Sequence, residues 1–154
     1  MEISLKDKVK GFKIFTGFSS SQIDKVLSLG QLAEFERGDV IVEADTKLLD
    51  IYIILKGKLE ALMRTTSSEM LLGKVIHIET RKAGDIFGAT TFVQERRTLL
   101  RLTAIDKMLV IRIDRKELYQ LLNSDNNLGY LLMQNIALIL DQRLIDYCFR
   151  IREI

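Results

Sequence analysis

Asp50-Ile51-Tyr52-Ile53-Ile54-Leu55-Lys56-Gly57-Lys58-Leu59-Glu60-Ala61-Leu62-Met63-Arg64 is the stretch whose reading decides the fold. An apolar run rich in isoleucine meets a Lys-Gly break, and a second run opens by alternating polar and apolar residues. Runs this short, bounded by turn residues, are strand-sized and not helix-sized. The same pattern continues outward in both directions. It predicts strands at Gln31–Glu36, Val40–Glu43, Asp50–Leu55, Lys58–Arg64, Leu72–Thr80, Leu99–Ile105 and Met108–Ile113. Between them lie Arg37-Gly38-Asp39, Ala44–Lys47, Lys56-Gly57, Thr65–Glu69, Lys82–Asp85 and Asp106-Lys107. The chain has no proline, so glycine and short polar clusters supply all the turn chemistry.

Helical patterns flank this unit. Ser19, Ser20 or Ser21 can cap a helix carrying Ile23, Val26 and Leu27 on one face, and Gly30 is placed to stop it in a left-handed cap. Asp114 followed by Glu117 has capping-box spacing and opens Arg115–Leu122; Asn123 to Asn127 is a polar break, and Leu128 to Ile154 forms one long helix. No linker or internal repeat interrupts the sequence. One domain over residues 1–154 is expected, with a helical segment at 1–30, a β unit at 31–114 and C-terminal helices at 115–154.

Composition narrows the function. With 154 residues, 47% hydrophobic and 29% charged, the chain is an ordinary globule, and a net charge of +2 advertises neither a nucleic-acid groove nor a membrane surface. No apolar run approaches the ~20 residues of a membrane span, and no signal peptide opens the chain. Cys148 is the only cysteine, which rules out an intrachain disulfide and a cysteine metal cluster, and it reads as a reduced, half-buried helical thiol in a cytoplasmic protein. His77 is the only histidine and sits in an alternating strand, where it is expected to face solvent. No nucleophile–base constellation, P-loop or metal-ligand spacing is present, so neither catalysis nor a metal site is expected.

The long helix carries an a/d seam. Met133, Ala137, Leu140, Leu144, Tyr147, Ile151 and Ile154 alternate at spacings of four and three, the period of a coiled coil. A second stripe (Leu128, Leu132, Ile136, Ile139) lies on another face. The expected arrangement is a parallel homodimer through the seam, with the stripe packing within the chain. The alternative makes both of them intramolecular core.

Four stretches together resemble the cyclic-nucleotide-binding domain family. Phe35-Glu36-Arg37-Gly38-Asp39-Val40-Ile41-Val42-Glu43-Ala44-Asp45 is similar to its F-x-x-G-[ED]-x-[IL]-[IF]-x-E-G-D, and Asp50–Gly57 to its L-Y-I-I-x-x-G. Gly84-Asp85-Ile86-Phe87-Gly88 looks like its G-D-x-F-G, and Leu102-Thr103-Ala104-Ile105-Asp106 like its V-x-A-x-[ED]. Order and separation agree as well, over roughly Phe12 to Asp141. The resemblance implies a mainly β fold with flanking helices, a jelly-roll-like β-roll, or double-stranded β-helix, followed by a long C-terminal helix.

It also implies a ligand cassette: Phe87, Gly88, Ala89, Thr90, Thr91, Arg96, Arg97, Thr98 and Leu99. A strand ending at Phe87-Gly88 would feed a short helix, Ala89–Gln94, whose first amides can cradle a phosphate, with Gly88 allowing close approach. Family members place a glutamate directly after that glycine for the ribose hydroxyl, and an arginine about nine positions later for the cyclic phosphate. Ala89 and Thr98 hold those positions here. Losing one partner of a buried charge pair costs about 2–5 kcal/mol. At roughly 1.4 kcal/mol per tenfold, a micromolar ligand becomes millimolar or worse. Arg96 and Arg97 sit just before the vacated position, either as substitutes or as a solvated cluster, and Leu99 and Leu100 grease the rim. The expectation is a regulatory or sensory module without cofactor that binds cyclic AMP or GMP weakly or not at all. It would act through dimerisation or partner contacts, with a small-molecule ligand and without direct nucleic-acid or membrane binding. The alternative is the effector-binding domain of a Crp/Fnr-type transcription regulator lacking its helix-turn-helix.

Overall fold

A computed structural model describes residues 3–65, 73–89 and 94–153, which fall into two compact units. The first, residues 30–115, contains eight strands among the described residues: β1 (Gly30–Phe35), β2 (Val40–Val42), β3 (Asp50–Lys56), β4 (Lys58–Arg64), β5 (Val75–Lys82), β6 (Ile86–Phe87), β7 (Arg101–Ala104) and β8 (Met108–Asp114). They form two antiparallel four-stranded sheets, ordered β1-β8-β3-β6 and β2-β7-β4-β5. This is the expected β-roll. The predicted strand start at Leu72 lies outside the described residues.

The Lys56-Gly57 break is a corner and not a hairpin, because β3 and β4 belong to different sheets. Gly57 takes φ +85°, and a Cβ there would collide with the Lys107 carbonyl, so glycine alone fits the corner. Between the sheets, one cluster joins Tyr52, Ile54, Phe87, Met108 and Val110 from the first to Val42, Leu59, Ala61, Leu102 and Ala104 from the second. Side chains alternate along each strand, so both sheets send one set into this layer.

The second unit comprises residues 1–29 and 116–154. It holds α1 (Leu5–Val9), a 3-10 turn at Lys13–Phe15, α2 (Ser20–Leu27), nearly all of α3 (Arg115–Ser124) and α4 (Asn126–Arg152). Ser19 is the serine that caps α2, in a reciprocal box with Gln22. Gly30 does not stop that helix. The helix ends at Leu27, with a right-handed cap at Ser28, and Gly30 is the first residue of β1, opposite Ile113. The five-residue break expected at Asn123–Asn127 contracts to Asp125, whose carboxylate accepts from the Leu128 amide and pairs with Lys25 at 2.9 Å. Those contacts hold the Asp125 carboxyl below its usual range, the amide hydrogen bond first and the lysine second.

On α4, Leu128, Leu132 and Ile136 are buried as a stripe, with Ile139 half-buried beyond them. Asn135 is buried beside them and donates from Nδ2 to the carbonyls of Ile14 and Thr16, both at 2.9 Å, fastening the 3-10 turn to the helix. The seam behaves differently. Met133, Ala137, Leu144 and Ile151 are exposed, Leu140 and Tyr147 half-buried, and Ile154 lies outside the described residues. Cys148 is exposed and not half-buried, as are Leu144, Ile145 and Arg152 on the same side of α4.

Candidate functional site

The cassette begins where β6 runs beside β3. Phe87 pairs with Tyr52, and their rings stack at 4.4 Å with planes 7° apart, both inside the roll. Burial, then the neighbouring Asp50 carboxylate, pushes the Tyr52 phenol above its ordinary pKa. Gly88 follows at φ +86°, where a Cβ would strike the Asp50 carbonyl. Close approach to β3 therefore dictates glycine here, whereas the sequence reading gave Gly88 the close approach of a phosphate. Ala89 is buried. Thr90 and Thr91 lie outside the described residues.

The other end of the cassette is held by its own backbone. Thr98 receives a hydrogen bond from the Asp45 amide at 2.7 Å and donates its amide to Thr46 at 2.9 Å. Its hydroxyl turns back locally, donating to the Leu100 carbonyl and accepting from the Leu100 amide, both at 3.1 Å. The Thr98 side chain is thus engaged with its own loop. Arg97 is exposed and donates to the Asp45 carbonyl, with the Asp45 carboxylate 3.6 Å away. Arg96 is exposed and makes no hydrogen bond or ion pair among the described residues. Glu95 pairs with Arg115 and, at 3.6 Å, with Lys47. These contacts hold its carboxyl below the usual range, Arg115 contributing most. Leu99 is 77% exposed, whereas Leu100 packs on the roll's core. Of the loop's two arginines, Arg97 meets Asp45 at the surface, while Arg96 meets no partner among the described residues.

Sequence reasoning missed a second polar group in the roll. Glu79 and Arg81 of β5 stand opposite Ala61 and Leu59 of β4, two residues of the apolar core, and so face inward. Arg81 Nε donates to Glu79 Oε1 at 2.6 Å, its Nη2 also meets that oxygen, and its Nη1 donates to the Ile86 carbonyl at 3.1 Å. The one available signal was a Glu-x-Arg spacing within a strand, which by itself reads as a solvated pair. His77 faces outward as expected, exposed, with Nε2 3.1 Å from Thr80 Oγ1.

Residues 32–125 match the family model described as the cyclic nucleotide-binding domain. No curated protein matches the chain. Among solved structures, a cyclic nucleotide-binding domain from Methylobacillus flagellatus superposes with a TM-score of 0.83 at 19% identity, covering 97% of this chain and 81% of that one. The catabolite activator protein of Thermus thermophilus gives 0.75 at 18%, covering 91% of this chain, which spans 62% of that protein's length. The sensor domain of the regulator DNR from Pseudomonas aeruginosa gives 0.71 at 15%, covering 90% of each chain.

Proposed function

The chain belongs to the cyclic nucleotide-binding domain family, and from that premise we propose that it is a non-catalytic regulatory module whose roll does not hold cyclic AMP or cyclic GMP tightly. The observation that carries this reading is Thr98. It stands where the family places its phosphate arginine, and its hydroxyl is already spent on Leu100. A neutral hydroxyl cannot replace a charged two-pronged donor in any case. Ala89 removes the second anchor with a buried methyl. Titration calorimetry with cyclic AMP and cyclic GMP tests the reading. Dissociation constants in the millimolar range or weaker are expected, with measurable affinity gained by the double change Ala89→Glu and Thr98→Arg. Micromolar binding by the unaltered protein would refute it and point to Arg96 or Arg97 as substitutes.

The output side of the module is α4. Leu144 and Ile151 are 60% and 69% exposed on one seam, and burying a side chain of this kind contributes about 1.5–3 kcal/mol. The module works as a parallel homodimer through Met133–Ile154. Light scattering should show dimers that become monomers when Leu144 and Ile151 are changed to glutamate; a monomeric unaltered protein at high micromolar concentration overturns the assignment. A second reading, the sensory part of a Crp/Fnr-type regulator, draws on the fit to only 62% of the Thermus thermophilus protein's length. No described helix is long and apolar enough to cross a membrane. We place the module in the cytoplasm, where an exposed thiol such as Cys148 stays reduced.

A further inference from the structure

Helix α4 carries a further apolar stripe that the seam does not use. Its residues Leu138, Ile145 and Phe149 are 61%, 40% and 58% exposed. With about 3.6 residues per turn they fall within about 40° of one another, about 140° round the helix from the centre of the seam. After Ile136 no described residue of α4 is buried. A parallel dimer through Met133–Ile154 covers the seam and leaves this stripe pointing away from the partner.

The charges beside the stripe select its occupant. Asp141 and Arg152 lie on one flank of it, within about 20° of each other and about three turns apart. Both are exposed, and neither has a hydrogen bond or ion pair among the described residues. The seam gives Asp141 no cation, because the flanking residue that a parallel coiled coil sets opposite it is Ile136. An acid near the start of a flank and a base near its end are matched by a second copy running antiparallel. Parallel copies would set Asp141 against Asp141. The register agrees with the charges. The midpoint of Asp141 and Arg152 falls between residues 146 and 147, and the midpoint of Ile145 and Phe149 falls at 147. One two-fold axis therefore sets each Asp141 opposite the partner's Arg152 and lays Ile145 beside the partner's Phe149. On the other flank, Asp146 accepts from Gln142 Nε2 at 2.9 Å and points about 80° away from the stripe.

We infer that this stripe is a docking surface for a second copy of the chain. The free halves of two α4 helices pack antiparallel through Ile145 and Phe149, with Leu138 at the edge and an Asp141–Arg152 pair at each end. The contact is isologous and does not depend on the seam. Where the seam also forms, the stripe joins one parallel dimer to the next in an open row, because the two faces of α4 point different ways. The stripe has fewer apolar side chains than the seam, so it fills at higher protein concentration.

Sedimentation velocity from micromolar to millimolar protein tests it, on the unaltered chain and on the seam variant Leu144→Glu with Ile151→Glu. The seam variant should be monomeric when dilute and pass to dimers as its concentration rises. In that background Asp141→Arg should weaken the association at least tenfold, because two attractive pairs become two repulsive ones. Adding Arg152→Asp should restore it, since the exchanged charges meet again only in the antiparallel register. Ile145→Ser with Phe149→Ser should abolish it while circular dichroism shows the same helix content. A seam variant that stays monomeric at millimolar concentration, no weakening by Asp141→Arg, or no recovery on adding Arg152→Asp would each overturn the stripe. None of these results touches the seam, whose failure would instead give the unaltered chain and the seam variant one and the same association curve.

Discussion

Strands β3 and β5 lie in the two sheets of one roll and treat their charges in opposite ways. β3 sends Tyr52 and Ile54 inward and keeps Ile51, Ile53 and Leu55 buried on its other face; its charges, Asp50 and Lys56, are confined to the two ends. β5 places a carboxylate and a guanidinium in the interior and leaves two aliphatic side chains exposed at its start. β3 gains from every residue it buries. β5 sets Arg81 against Glu79 and the Ile86 carbonyl to offset the desolvation of two charges. A run like β3 is explained by burial alone, whereas β5 must offset the desolvation of two charges with their mutual attraction and the hydrogen bond to Ile86.

Four measurements press on this contrast. Arg81→Met alone should have the largest effect, because it leaves the Glu79 carboxylate buried without a partner. A loss of about 3–5 kcal/mol in urea unfolding is expected, and a loss under 1 kcal/mol would mean that the pair is already hydrated. Ile54→Ala, at a fully buried position of β3, should cost about 2–5 kcal/mol through lost transfer energy and the cavity left behind. Changing Glu79→Leu and Arg81→Met together should cost nothing, or stabilise by up to about 4 kcal/mol. A double variant as unstable as the single one would show that the pair stabilises the roll beyond balancing its own charges.

The smallest effect concerns pH. The Tyr52 phenol is raised above 10.0 in the folded state, chiefly by burial. Its neutral form is therefore favoured by folding. That contribution is complete below about pH 10 and disappears as the pH rises through the folded value. Tyr52→Phe should flatten the decline of stability in that alkaline range. An unchanged profile would assign the decline to other groups.

Legibility followed the range of each interaction. Gly88 could be read as a cassette glycine from the Gly84–Gly88 motif, but the contact that demands glycine there, with the Asp50 carbonyl, depends on β3 lying alongside. The helix cap at Ser19 was narrowed to three serines, and only the reciprocal bond from Gln22 selected one of them. From the sequence Asp125 reads as part of a five-residue polar break, because a one-residue junction between helices depends on Lys25, a hundred positions away in sequence. Asn135 went unnoticed for the same reason. Its partners are the carbonyls of Ile14 and Thr16, which carry no side-chain signature.

The amino-acid sequence by itself determined the order of the strands and of the longer helices, though not all of their bounds. Alternation, turn glycines and caps are local, and the two-residue period of a strand is visible within six residues. It also determined that Ala89 and Thr98 offer neither a carboxylate nor a guanidinium. The tertiary structure alone decided that Lys56-Gly57 joins two sheets, that Thr98 spends its hydroxyl on Leu100, and that Glu79 and Arg81 turn inward. These depend on which strand lies beside which, and in what register. A single inserted residue such as Ile78 exchanges the two faces of a strand without altering its composition.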